Sequence, residues 1–159
     1  MHSEPASTTE PTHPSVVAPL PSVPRPQGRY VPALASGSLV LTAGMTPRVD
    51  GRLAYVGRVG DEVTLEDARS AAAIAVSNAV SAAVSVVGSR DALRRAIRLI
   101  VFVNAVDGFT QHPKVADGAS DRLVELLGPE AGSAVRSAVG VASLPGGACV
   151  EVELTCERG

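Results

Sequence analysis

The sequence predicts an α+β domain, a mixed β-sheet with two helices on one of its faces. Two helix-like stretches are framed by start and stop signals, one between Thr64 and Gly88 and one between Pro113 and Gly128. Apolar, β-prone runs recur at residues 31–35, 38–45, 93–106, 135–141 and from Val150 onward. The resulting order is β-β-(β)-α-β-α-β-β. Two helices can cover one face of such a sheet, so the other face must be buried by something else, and neighbouring subunits would supply that cover.

Residues 1–28 are rich in Pro, Ser and Thr and read as a flexible tail, because they bury too little apolar surface to offset the entropy of ordering. They lack a basic start followed by an apolar core, so a secretory signal is not expected. A single folded domain is predicted over residues 29–159. Its first two strands are separated by Ser36-Gly37, and residues 51–57 suggest a short hairpin or excursion ended by Gly60-Asp61. Thr64 followed by Glu66 and Asp67 is a helix start, with acids placed favourably in the first turn. The helix is rich in Ala, which allows close packing on a sheet, and it stops at Gly88. The run R-L-I-V-F-V-N-A-V from Arg98 to Val106 is a strand. Pro113 suits the first turn of the second helix, which ends at Gly128-Pro129.

The stretch V-R-S-A-V-G-V-A-S-L-P-G-G-A-C-V-E-V-E-L, residues 135–154, reads as two strands joined by a turn. Alternation puts Arg136 with Ala138 and Gly140, opposite Val135, Ser137, Val139 and Val141. In the last strand Val150, Val152, Leu154 and Cys156 form an apolar face, opposite Cys149, Glu151, Glu153 and Thr155. Arg136 and Glu151 are expected on the sheet face that the helices leave bare. Charges on such ribbons fit a polar pocket or a subunit contact, and equally a solvated sheet face.

Composition narrows the chemistry. The chain is 45% hydrophobic but 3% aromatic, so its core must be built from Ala, Val, Leu and Ile. A net charge of −2 and no basic cluster interleaved with aromatics give no sign of nucleic-acid binding. No apolar run of membrane-spanning length is read, so no membrane association is expected. Cys149 and Cys156 are expected on opposite faces of one strand and unbridged, which suits a reducing cytoplasm. With His2 and His13 in the tail, His112 is the single histidine of the folded part, so neither a histidine triad nor a multi-histidine metal site is expected. Lys114, the one lysine, sits at a helix start and is a poor Schiff-base amine. Acid–base chemistry would fall to carboxylates, Tyr, Cys or water.

The segments Y-V-P-A-L, L-V-L-T-A-G-M-T-P, F-T-Q-H-P-K-V-A-D-G-A-S-D and V-R-S-A-V-G-V-A-S-L-P-G-G-A-C-V-E-V-E together resemble the Rid/YjgF family of reactive-intermediate deaminases, over residues 30–157. The resemblance implies a chorismate-mutase-like fold, a homotrimer, and a small-molecule substrate held in clefts between subunits, with no cofactor and no metal. It implies that Arg136 binds the carboxylate of an imine or enamine derived from an amino acid, where a guanidinium fork gives orientation as well as charge. It also implies that Glu151 directs the hydrolytic water and that Tyr30 lines the cleft. In the same family the turn after the second strand is commonly Ser-Gly-Gln. Here it is Ala43-Gly44-Met45, which keeps a place in substrate binding but loses a hydroxyl and an amide. The usual Asn of the second helix is Asp117, whose charge would repel a substrate carboxylate unless it is protonated or pairs with Arg136.

Three readings follow. The first is an imine or enamine hydrolase that releases ammonia, with altered substrate preference. The second keeps the fold but uses Asp117 and Glu151 as an acid–base pair for cyclisation, isomerisation or dehydration in specialised metabolism. The third is a trimer that binds a small ligand without turning it over.

Overall fold

The computed structural model describes residues 18–159. Nine elements follow in order: β1 (Ala33–Ser36), β2 (Leu39–Thr42), β3 (Arg48–Val49), β4 (Arg52–Leu53), α1 (Leu65–Val87), β5 (Leu93–Asn104), α2 (His112–Leu127), β6 (Val135–Val141) and β7 (Val150–Arg158). The main sheet has the strand order β1-β2-β7-β5-β6, and β3-β4 form a separate small hairpin. Among the described strands of the main sheet only the β5–β6 pairing is parallel, so the sheet is mixed, as the element order predicts. The hairpin expected over residues 51–57 instead spans 48–53, because its β3–β4 turn is Asp50-Gly51, both with positive φ, the conformation that suits a two-residue hairpin.

Both helices pack on the same sheet face. Val40, Leu99, Val101, Val103, Val150 and Val152 are buried there against the alanine-rich side of α1. The caps of α1 are those expected: Thr64 Oγ1 accepts from the Asp67 N–H at 3.1 Å, and Gly88 closes the helix in the left-handed region. With 23 residues and an apolar sequence, α1 is long enough to cross a bilayer, contrary to the expectation that no such run exists. Its apolar residues are instead the centre of the protein core. Small residues let α1 and α2 approach closely; a Cβ on Gly118 of α2 would collide with the Arg69 carbonyl of α1.

The opposite sheet face carries no helix. Leu34, Leu39, Leu41, Val135 and Val139 are exposed on it, beside the half-buried Glu151, Glu153 and Glu157. Residues 18–27, assigned to a flexible tail by their composition, lie along the molecule. Ser81 Oγ donates to the Pro21 carbonyl at 2.7 Å, Arg90 donates to the Ala18 carbonyl at 2.9 Å, and Leu20 packs against the core. Proline-rich backbone loses less freedom on ordering, so two side-chain hydrogen bonds and one leucine go far towards holding it. The remainder of the expected tail, residues 1–17, lies outside the described residues.

Candidate functional site

β6 and β7 are not neighbours, because β5 runs between them. Leu99 of β5 is in register with Arg136 on one side and with Leu154 on the other. Phe102 is in register with Val139 and with Glu151. Residues in register point to the same face, so Arg136 lies on the helix-covered face and Glu151 on the bare one. The expectation that they share a face is therefore corrected. Alternation gives the phase of each strand, but the relative phase of β6 and β7 is set by the intervening β5.

Arg136 sits on the edge strand, where its side chain reaches α2. Its Nη1 donates to Asp117 Oδ1 at 2.8 Å and to Ser120 Oγ at 3.0 Å, and Nη2 donates to the Pro113 carbonyl at 3.4 Å. The Arg136 side chain is 23% exposed and that of Asp117 is 47% exposed. Two predicted site residues thus meet each other, Asp117 of α2 pairing with Arg136 of β6.

Glu151 belongs to a second cluster. A pocket of about 540 Å³ is lined by Tyr30, Ala43, Gly44 and Glu151, all of them sequence candidates, and by Gln27, Thr46, Arg48 and the Pro145-Gly146 turn. The Glu151 carboxylate lies in the space that a Cβ on Gly44 would occupy, so any larger residue there would displace it. Burial raises the Glu151 carboxyl above the usual carboxylate range, and the neighbouring Glu153 adds to the effect. Among the described residues Glu151 makes no ion pair. A half-buried carboxylate with raised proton affinity and an open pocket in front of it can take and return a proton.

Met45 is not part of this pocket. It exchanges both backbone hydrogen bonds with Val152, at 2.8 and 2.9 Å, which turns its side chain towards the helices, where it is 5% exposed. The predicted binding role of Met45 is corrected to a core role, because consecutive extended residues point to opposite faces and Gly44 already faces Glu151. Cys149 precedes β7 rather than sharing the Glu151 face; it is fully buried and its thiol is pushed up to about 11. Cys156 lies in the core and is pushed up to about 12. Both are packing residues, protonated at neutral pH.

Sequence reasoning missed Arg48. Its Nη1 donates to the Gly51 carbonyl at 2.8 Å, and its backbone carbonyl, with that of Thr46, accepts from Asn78 Nδ2 at 3.0 and 3.1 Å. The buried Asn78 of α1 thereby fixes the chain that presents Arg48 to the pocket. An isolated arginine directly after Thr46-Pro47, next to the Ala43-Gly44-Met45 turn, was the available signal. Among the described residues no three His, Cys, Asp or Glu side chains converge as a metal-binding group.

A family profile described as "YjgF/chorismate_mutase-like, putative endoribonuclease" matches residues 15–157. The chain belongs to the YjgF/chorismate-mutase-like family. Protein TCP17 of Trypanosoma cruzi is 36% identical over 138 residues, which cover 87% of this chain and 86% of that protein. The crystal structure of the protein Atu1372, of unknown function, from Agrobacterium tumefaciens is 36% identical, covers 82% of each chain and superposes with a TM-score of 0.80. A protein from Shewanella oneidensis MR-1 named a putative endoribonuclease is 32% identical, covers 87% of this chain and 91% of its own, and gives a TM-score of 0.83. The YjgF-like fold inferred from the sequence segments is thus established, with two helices and a mixed sheet.

Proposed function

We propose that this YjgF-family chain hydrolyses reactive imines or enamines with release of ammonia, acting as a homotrimer on a small-molecule substrate bound between subunits in the cytoplasm. The observation that carries the reading is Glu151, an unpaired carboxylate of raised proton affinity set in a pocket with Tyr30 and Arg48. Glu151 takes a proton from water as the water oxygen adds to the C=N carbon. The amino alcohol formed from the protonated imine receives that proton on nitrogen, the C–N bond breaks to release ammonia, and Glu151 takes up the hydroxyl proton as the carbonyl forms. General acid–base help of this kind contributes about 10²–10⁴-fold.

The exposed leucines and valines of the bare sheet face supply a reason to associate. Arg136 stands on an edge strand and the opposite face from Glu151, so a substrate touching both would need Arg136 from one subunit and Glu151 from another. Because Asp117 holds Arg136, a substrate carboxylate must compete with it, which supports altered substrate preference. The same separation disfavours an acid–base pair of Asp117 and Glu151 within one subunit.

The test is ammonia and keto-acid release from 2-iminopropionate and a bulkier 2-imino acid, with Glu151→Gln and Arg136→Ala as controls. Acceleration over the spontaneous rate, lost in Glu151→Gln, is expected. No acceleration with any imino acid refutes the reading. Sedimentation equilibrium is expected to return three times the chain mass, and a monomer would refute the shared cleft.

A further inference from the structure

A larger cavity, of about 1100 Å³, lies between the N-terminal segment and α1. Its roof is formed by residues 19–25 and Gln27, and its floor by Ala73, Ile74 and Ser77 of α1. The β3–β4 hairpin and Arg122 of α2 complete the walls. Neither Glu151 nor Tyr30 touches it; Arg48 and Gln27 stand between it and the Glu151 pocket and line both.

The lining is divided by chemistry. Pro19, Pro21 and Pro24 carry no N–H, so with Leu20, Val23 and Ile74 they make an apolar side. Arg25, Arg48 and Arg122 bring three guanidinium groups, against the single carboxylate of Asp50. Arg122 is held in place, Nε on Ser77 Oγ at 3.0 Å and Nη1 on Glu125 at 2.9 Å. Arg48 is incompletely satisfied: its Nε is buried and has no hydrogen-bond acceptor. A buried charged donor without a partner is costly, and an acidic group drawing the guanidinium towards the cavity would relieve it. The roof itself is anchored at both Pro21 and Ala18, so the cavity is a built part of the fold.

We propose that this cavity is a second ligand site, separate from the Glu151 pocket, for an amphipathic anion: a carboxylate on an apolar body. The acidic end sits between Arg48 and Arg122, and the apolar body lies between the proline-rich roof and Ile74. Ligand sites of drug-sized molecules run to about 1000 Å³ and combine apolar walls with a few placed polar groups, which this cavity matches.

The experiment titrates decanoate into the full-length protein by calorimetry and follows its thermal shift, with decylamine as the matched cation. Decanoate is expected to bind and to raise the melting temperature, at least about tenfold more tightly than decylamine. Arg122→Gln is expected to weaken decanoate about tenfold, and Ile74→Trp, which fills the floor, to abolish its binding. Glu151→Gln is expected to leave decanoate binding unchanged, since Glu151 does not line the cavity. Arg48→Gln gives the same loss as Arg122→Gln if the hairpin survives, and Arg122→Gln and Ile74→Trp decide the matter if it does not. Absence of decanoate binding, equal binding of decylamine, or unchanged binding in Ile74→Trp overturns the proposal.

Discussion

The pairing of Asp117 with Arg136 makes Asp117→Asn the most informative substitution in this protein. Asparagine keeps an oxygen for Arg136 Nη1, now 2.8 Å from Asp117 Oδ1, so the geometry of β6 on α2 is retained while the charge is removed. Unit charges about 4 Å apart interact by about 4 kcal/mol at an effective dielectric of 20 and by about 1 kcal/mol in water. With side chains 23% and 47% exposed, this pair lies towards the aqueous end. An exposed pair contributes about 0–1 kcal/mol to folding, so the melting temperature should fall by no more than about 4 °C. A ligand carboxylate, in contrast, escapes a repulsion of about 1–2 kcal/mol and should bind about 5–30-fold more tightly. Calorimetry with pyruvate, the keto acid formed from 2-iminopropionate, reads this without turnover; the KM for 2-iminopropionate should fall by a similar factor with kcat little changed. Unchanged or weaker pyruvate binding in a stable Asp117→Asn variant would show that Asp117 does not compete at Arg136.

Gly118→Ala sets two effects against each other. Alanine favours the helix by about 1 kcal/mol, but its Cβ meets the Arg69 backbone, and overpacking against backbone costs about 1–3 kcal/mol or more. Thermal denaturation should therefore show a lower melting temperature, and a rise would mean that the helices part without strain. For Glu151 the raised folded-state pKa means that the folded protein holds this proton more tightly than the unfolded chain. Stability from that proton is full below the unfolded value and is lost as pH rises through the folded value, so Glu151→Gln should become the more stable form with rising pH. Melting curves from roughly pH 4 to 8 test the sign, and a difference that grows in the opposite direction refutes it. Cys149 and Cys156 should resist iodoacetamide at neutral pH until denaturant is added, because burial holds both thiols protonated; rapid labelling of the native protein would contradict their core placement.

Much of the architecture could be read from local chemistry. Thr64, Glu66, Asp67 and Gly88 bound α1, and Pro113 and Gly128 bound α2, because capping satisfies backbone groups within a few residues of the cap. Alternation identified Val150, Val152, Leu154 and Cys156 as the buried side of β7. The segments that resemble the YjgF family led to Tyr30, Ala43, Gly44 and Glu151, which one pocket brings together. Met45 and Arg48 were misplaced and missed for one reason: a turn's side chains are sorted by which strand its backbone pairs with, and the Met45–Val152 pairing joins residues far apart in the chain.

By itself, then, the sequence determined the two helices, the five strands of the main sheet, the apolar core and the family, all of which rest on short-range periodicity, capping or motif. The tertiary structure alone decided that Arg136 and Glu151 occupy opposite faces, that Asp117 closes on Arg136, and that residues 19–25 with Gln27 roof a second cavity. Each of these depends on contacts between distant segments. Insertion of β5 between β6 and β7 sets their relative phase, and no local pattern carries that information.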